Sequence, residues 1–218
     1  MTILTPTQIR LLERFAQEPF IRDTFYFTGG TPLAAFYLQH RYSEDLDFFS
    51  ENEFDPQSFL VFCKKLKTEG LISGVDYEQS FNRNMYQLSL GDEVVKTEFT
   101  YFPFPRLEHG IPHYGLQADS MLDIAVNKLF TIYQRSKARD YIDLYLLCRE
   151  KGYKLDDLQK KARAKFDFHI DPLQLGTQFI KAETAEDTPR MIIELPNKEW
   201  QDFFMEAAKA LKDDVLEQ

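Results

Sequence analysis

The chain has 218 residues and a net charge of −9, with 44% hydrophobic and 28% charged residues. That length suits one compact domain, or one with a smaller appendage, and the composition excludes a disordered chain. Two cysteines without a C-x-x-C pattern, Cys63 and Cys148, exclude a disulfide scaffold and a zinc ribbon. No apolar run approaches the ~18 residues of a membrane span, and the acidic balance excludes a protein that coats nucleic acid by bulk charge. The first residues show no basic stretch followed by an apolar one, so no signal peptide is expected and the expected compartment is the reducing cytoplasm.

Thr5-Pro6 marks a helix start, an N-cap followed by Pro at the first helical position, with Ile9, Leu12 and Phe15 at helical spacing. A short strand over 25–28 runs into Gly29-Gly30. Thr31-Pro32 opens a second helix with Leu33, Phe36 and Tyr37 on its apolar face. A strand over 45–49 follows, then a helix over 56–69 closed by Gly70. From Val75 to Phe102 the pattern alternates, which predicts strands at 75–81, 84–90 and 93–102. Residues 103–117, rich in Pro and Gly, read as a connector. Helical patterns then cover 119–136, 139–151, 155–167, 172–183 and 198–212. The fold class is therefore α+β: a small mixed sheet with flanking helices, followed by an all-helical C-terminal part. A boundary near residues 115–119 gives an α/β core over 1–117 and a helical domain over 118–218. Charge is uneven along the same division. Residues 121–165 hold eleven Lys/Arg and six Asp/Glu, net +5, leaving −14 on the rest.

Residues 27–49 carry the chemistry. A strand ends at Gly29-Gly30-Thr31, which opens a helix; glycines admit close approach of a bound group, and free N–H groups at a helix start favour an anion. Asp45 and Asp47, two apart on a strand, project to one side while Leu46 and Phe48 enter the core. Two adjacent carboxylates repel each other, and a divalent cation relieves that repulsion; oxygen ligands suit Mg²⁺ bridged to substrate phosphates. On the strand from Glu93 to Phe102, Lys96 and Glu98 share a face, which makes Glu98 a candidate third carboxylate. Taken singly, a Gly-Gly before a helix is ordinarily a tight turn and a D-x-D on a strand ordinarily a solvated face. Their succession, with apolar flanks at the right parity, is specific.

This succession resembles the nucleotidyltransferase superfamily signature: a hydrophobic residue, Gly-Gly or Gly-Ser, a spacer of about ten residues, then Asp-hydrophobic-Asp. Within that superfamily it is most similar to the AbiEii/AbiGii toxin family. Arg41-Tyr-Ser43-Glu-Asp45-Leu-Asp47-Phe-Phe is the family-like D-x-D segment. Asp123-Ile-Ala-Val-Asn-Lys128 and Arg139-Asp140-Tyr-Ile-Asp143-Leu resemble the family's later motifs. The resemblance implies a nucleotidyltransferase core and a metal-dependent transfer of NMP from an NTP to an acceptor, with RNA of a tRNA-like kind as the leading acceptor. It also implies Mg²⁺ or Mn²⁺, an antitoxin protein as partner, and a toxin's place in a toxin–antitoxin or abortive-infection system. By position, Gly29, Gly30 and Thr31 would hold the triphosphate, joined by Arg41 and Ser43. Asp45 and Asp47, with Glu98, would bind metal, Lys128 would contact nucleotide phosphate and Asp140 would be an essential acid. The alternative is a non-catalytic nucleotide- or partner-binding protein on the same fold.

Read without the resemblance, the second block is milder. Asp123 and Lys128, five apart, lie some 140° apart around a helix and do not make a simple surface pair. Arg139 and Asp143 have i,i+4 spacing and can pair; Arg139-Asp140 also suits a helix N-terminus with a capping acid. His109 and His113 are separated by Gly110 and Pro112 and read as solvated loop residues, and His40 stands alone. The two cysteines read as buried thiols, and the 20 phenylalanines as core.

Overall fold

The computed structural model describes residues 3–216, with side chains through residue 211. The chain forms two units: Met1–Tyr37 with Tyr42–Ser120, and Leu38–Arg41 with Met121–Gln218. Four residues from within the first unit's sequence thus belong to the second.

The first unit contains α1 (Pro6–Ala16), α2 (Pro19–Thr24), β1 (Tyr26–Thr28) and α3 (Gly30–Pro32), which runs on as a π-helical Leu33–Leu38. After these come β2 (Leu46–Ser50), α4 (Pro56–Thr68), β3 (Gly74–Ser80), β4 (Arg83–Leu90), β5 (Glu93–Tyr101) and β6 (Gln117–Ala118). The strands make one mixed sheet in the order β3-β4-β5-β2-β1-β6. Central β2 pairs antiparallel with β1 and parallel with β5, which sets Asp47 opposite Thr28 on one side and Glu98 on the other.

One face of the sheet is anchored by aromatic packing. Phe48 stacks on Phe27 and Phe99 with centroids 5.1 and 5.0 Å away, and Phe15 of α1 meets Phe48 and Phe59 edge-on, each at 5.7 Å. Burying each such side chain contributes about 1.5–3 kcal/mol. Leu46, Phe48 and Ser50 are buried while Asp47 and Phe49 are half-buried. Strand parity then leaves the aspartates no choice but the other face, because a one-residue slip would expose Phe48. The start of α1 is also tied to this strand. Thr5 and Gln8 form a reciprocal capping box, and the buried Gln8 amide donates to the Glu44 carbonyl at 2.9 Å, fixing the chain as it enters β2.

The second unit is helical: α5 (Met121–Gln134), α6 (Ala138–Lys151), α7 (Leu155–Phe166), α8 (Pro172–Ile180), a 3₁₀ turn Lys181–Thr184, and α9 (Asn197–Leu216). Its core holds Tyr141, Phe179, Trp200 and Phe204, all fully buried. Gly152 ends α6 in the left-handed conformation. Cys63 and Cys148 are buried, as expected, and burial pushes both thiols up to about 12. No helix among the described residues is long and apolar enough to cross a membrane.

Candidate active site

The loop after β1 and the entry to β2 are built as one piece. Gly29 takes φ +82° and ψ −153°, a region that only glycine occupies without strain. A Cβ placed there would lie 2.8 Å from Asp47 Oδ2. Thr31, buried in the helix start, donates its hydroxyl to the Asp45 carbonyl and lies 2.8 Å from Ser43 Oγ. Gly29, Gly30, Thr31, Ser43, Asp45 and Asp47 are therefore brought together as the motif order predicts. The Thr31 and Ser43 hydroxyls face each other.

The carboxylates share the sheet face with two cations. Lys96 Nζ lies 3.5 Å from Asp45 Oδ2, both groups about one-third exposed. Arg83 on β4 grips Glu98 with both arms, Nε to Oε1 at 2.7 Å and Nη2 to Oε2 at 2.6 Å, and Thr100 adds a hydroxyl donor at 2.8 Å. Burial by itself would push the Glu98 carboxyl up; the guanidinium and the hydroxyl outweigh it and hold the group below its ordinary value. Glu98 stands where the sequence places a third carboxylate, yet both its oxygens are engaged by the chain's own cation.

For a divalent ion this face offers the half-buried carboxylates of Asp45, 3.5 Å from Lys96 Nζ, and of Asp47, beside Gly29. Among the described residues no three His, Cys, Asp or Glu side chains converge as a metal cage. Mg²⁺ is ordinarily held by one or two carboxylates together with substrate phosphates, so this pair fits it.

The helical unit gathers a second cluster around Asp143. This fully buried carboxylate lies 2.7 Å from Arg41 Nε, 2.8 Å from Arg41 Nη2 and 2.7 Å from His40 Nε2. Lys128 Nζ lies 2.7 Å from both Asp143 and Asp140, and Arg135 reaches Asp140 at 3.2 Å. Burial works against ionisation of both carboxyls, but Lys128, joined by Arg41 at Asp143 and by Arg135 at Asp140, holds them below the usual range.

This cluster corrects two sequence readings. Asp143 turns inward to Arg41 and Lys128 instead of pairing with Arg139 along its helix. His40 does not stand alone. Arg41, expected beside the triphosphate, is buried with Nε and Nη2 on Asp143. A further pair escaped the sequence entirely: Asp123, which shares a motif with Lys128, binds Lys165 at 2.7 Å with both side chains fully buried.

Two loop readings also change. His113 is half-buried and stacks on Phe36 at 3.7 Å, and burial lowers its pKa. Phe81 is not core; it is 91% exposed.

An uncharacterized protein of Aquifex aeolicus, aq_aa25, is 29% identical over 213 residues, which are 96% of this chain and 98% of that one. Among solved structures, JHP933 from Helicobacter pylori superposes with a TM-score of 0.58 at 21% identity, covering 99% of this chain and 96% of its own. MenT4, the nucleotidyltransferase toxin Rv2826c of Mycobacterium tuberculosis, gives 0.56 at 18% identity, covering 94% and 84%. At such identities these structures establish the fold. The family model for the nucleotidyl transferase AbiEii toxin of type IV toxin–antitoxin systems matches residues 10–218, a span that takes in both the glycine–aspartate motif and the Lys128 and Asp140 motifs. The chain therefore belongs to the AbiEii nucleotidyltransferase toxin family.

Proposed function

We propose that the protein transfers NMP from an NTP to an RNA acceptor in a metal-dependent reaction, as the toxin of a cytoplasmic toxin–antitoxin pair. The observation that supports this reading is the closeness of Gly29 to the Asp47 carboxylate, 2.8 Å from a would-be Cβ to Oδ2; a triphosphate on the glycine loop would then lie beside a metal held by Asp47. Asp45 and Asp47 would hold Mg²⁺ or Mn²⁺, which when bound neutralises triphosphate charge. The amides of Gly29, Gly30 and Thr31 donate to phosphate. Ser43 positions Thr31, and Arg41 positions Lys128 through Asp143. Lys128 contacts nucleotide phosphate, with Asp140 and Asp143 holding its ammonium in place. Glu98 acts through Arg83 and not as a metal ligand.

An RNA acceptor is supported by the charge exposed on residues 121–165, the basic stretch of a helical unit whose remaining residues, 166–218, hold five Lys/Arg against twelve Asp/Glu. Three of the six acids in residues 121–165 are buried, and so are Lys128 and Lys165, which leaves nine exposed Lys/Arg against three exposed acids. Affinity for a polyanion depends on that local surplus, not on the total of −9. An antitoxin partner follows from membership of the family alone.

The test is incubation with each α-labelled NTP and total RNA. Label is expected on RNA with Mg²⁺ present, and is expected to vanish with chelator and in Asp47→Ala. Transfer that persists in Asp47→Ala would remove the D-x-D pair from the mechanism. NTP binding without transfer to any fraction would favour a non-catalytic binding protein.

A further inference from the structure

The hairpin between β3 and β4 has two features that its own packing does not explain. Phe81, 91% exposed, holds φ +55°, a conformation uncommon for bulky residues and favourable to glycine or asparagine. A large aromatic ring is thus presented to solvent at a position whose backbone asks for something smaller. Two residues on, Arg83 has a side chain 52% exposed, although Nε and Nη2 are fixed on Glu98. The bidentate grip takes up Nε and Nη2 and orients the guanidinium, while half of the side chain stays open to solvent. Glu98 stands opposite Asp47 in the sheet register, and the guanidinium feels the charges of both Asp47 and Asp45.

We propose that Phe81 and Arg83 form the acceptor end of the site: an unpaired base stacks on the Phe81 ring, and the adjoining phosphate bonds the guanidinium edge that Glu98 holds in place. The inference rests on the nucleotidyltransferase reading and narrows its acceptor to a single-stranded nucleic-acid end. A base in a duplex has its faces covered, whereas an unpaired base stacks on an exposed aromatic. A guanidinium matches phosphate oxygens in plane. A protein hydroxyl or a small polar acceptor uses neither feature.

The test measures binding of a short single-stranded RNA to the full chain by fluorescence anisotropy across a salt series, with NTP affinity measured separately in Mg²⁺. Phe81→Ala is expected to weaken RNA binding about tenfold. Arg83→Gln combined with Glu98→Gln is expected to lower the slope of log affinity against log salt by about 0.7; the paired glutamines avoid stranding the buried Glu98 charge. NTP affinity is expected to stay at the wild-type value in Phe81→Ala. Unchanged RNA affinity in Phe81→Ala overturns the stacking, and an unchanged salt slope reduces Arg83 to a sheet-pairing residue. Either result with NTP binding intact leaves the nucleotidyltransferase reading standing. A wild-type chain that binds no NTP overturns that reading instead.

Discussion

Gly29 and Asp47 occupy each other's space: the hydrogen of the one leaves room for the carboxylate of the other, with 2.8 Å from the would-be Cβ to Oδ2. Gly29→Ala therefore meets two penalties, a glycine-only backbone region and a clash with a carboxylate. We expect a loss of about 1–3 kcal/mol in urea unfolding from the backbone alone, with more from the clash. The two parts separate in a double-mutant cycle. In an Asp47→Ala background the same substitution should cost less, because only the backbone penalty remains. Equal costs in both backgrounds would show that the loop shifts away from Asp47 freely.

Asp123 and Lys165 form a pair with no exposure to solvent. Lys165→Met leaves a buried carboxylate without this ammonium and is expected to cost about 3–5 kcal/mol. Adding Asp123→Leu should restore most of that loss, since replacing a buried ion pair with apolar residues is often neutral or better. Denaturant midpoints of the two single variants and the double variant decide the matter.

Acid should weaken the helical unit in a defined direction. Asp140 and Asp143 are held below the ordinary carboxylate value, chiefly by Lys128 against the opposing effect of burial. Between the folded and unfolded values the unfolded chain binds more protons, so stability rises with pH there. The contribution is complete above the unfolded value of about 4 and is lost as pH falls through the lowered folded values. Urea midpoints taken downward from pH 6 should stay level at first and then fall. Asp143→Asn should flatten that acid limb while lowering stability at neutral pH.

Phe81→Gly should separate stability from recognition. Relief of the left-handed backbone is expected to stabilise the fold by about 0.5–1 kcal/mol, net of the entropy glycine loses on folding. The same change removes the exposed ring and should weaken single-stranded RNA binding. A thermal melt and an anisotropy titration on one variant test both halves.

The sheet and most helices were legible because their signals are local. Alternation over 75–102 and the apolar stripes of α1 and α4 need only neighbouring residues. β6 has two residues, Gln117–Ala118, too few for a period, and exists because it lies parallel beside β1. α2, six residues long, is short for the same reading, and the π-helical turn at 33–38 carries no periodic mark of its own. At the candidate site, the glycine loop and the two aspartates were legible because the motif is contiguous. His40, Arg41 and Lys165 were not, since their partners Asp143 and Asp123 lie tens of residues away and only folding pairs them. Glu98 was found by parity, but the hand that holds it, Arg83, sits on another strand.

The four residues 38–41 lie between the glycine loop and the D-x-D pair in sequence, yet belong to the helical unit, with Arg41 sealed on Asp143. A genetic cut after residue 120 would thus not yield an independent minimal enzyme. It would strand a buried guanidinium in the spacer of the motif itself, so the sheet fragment should be recovered as aggregate unless the helical half is supplied in trans.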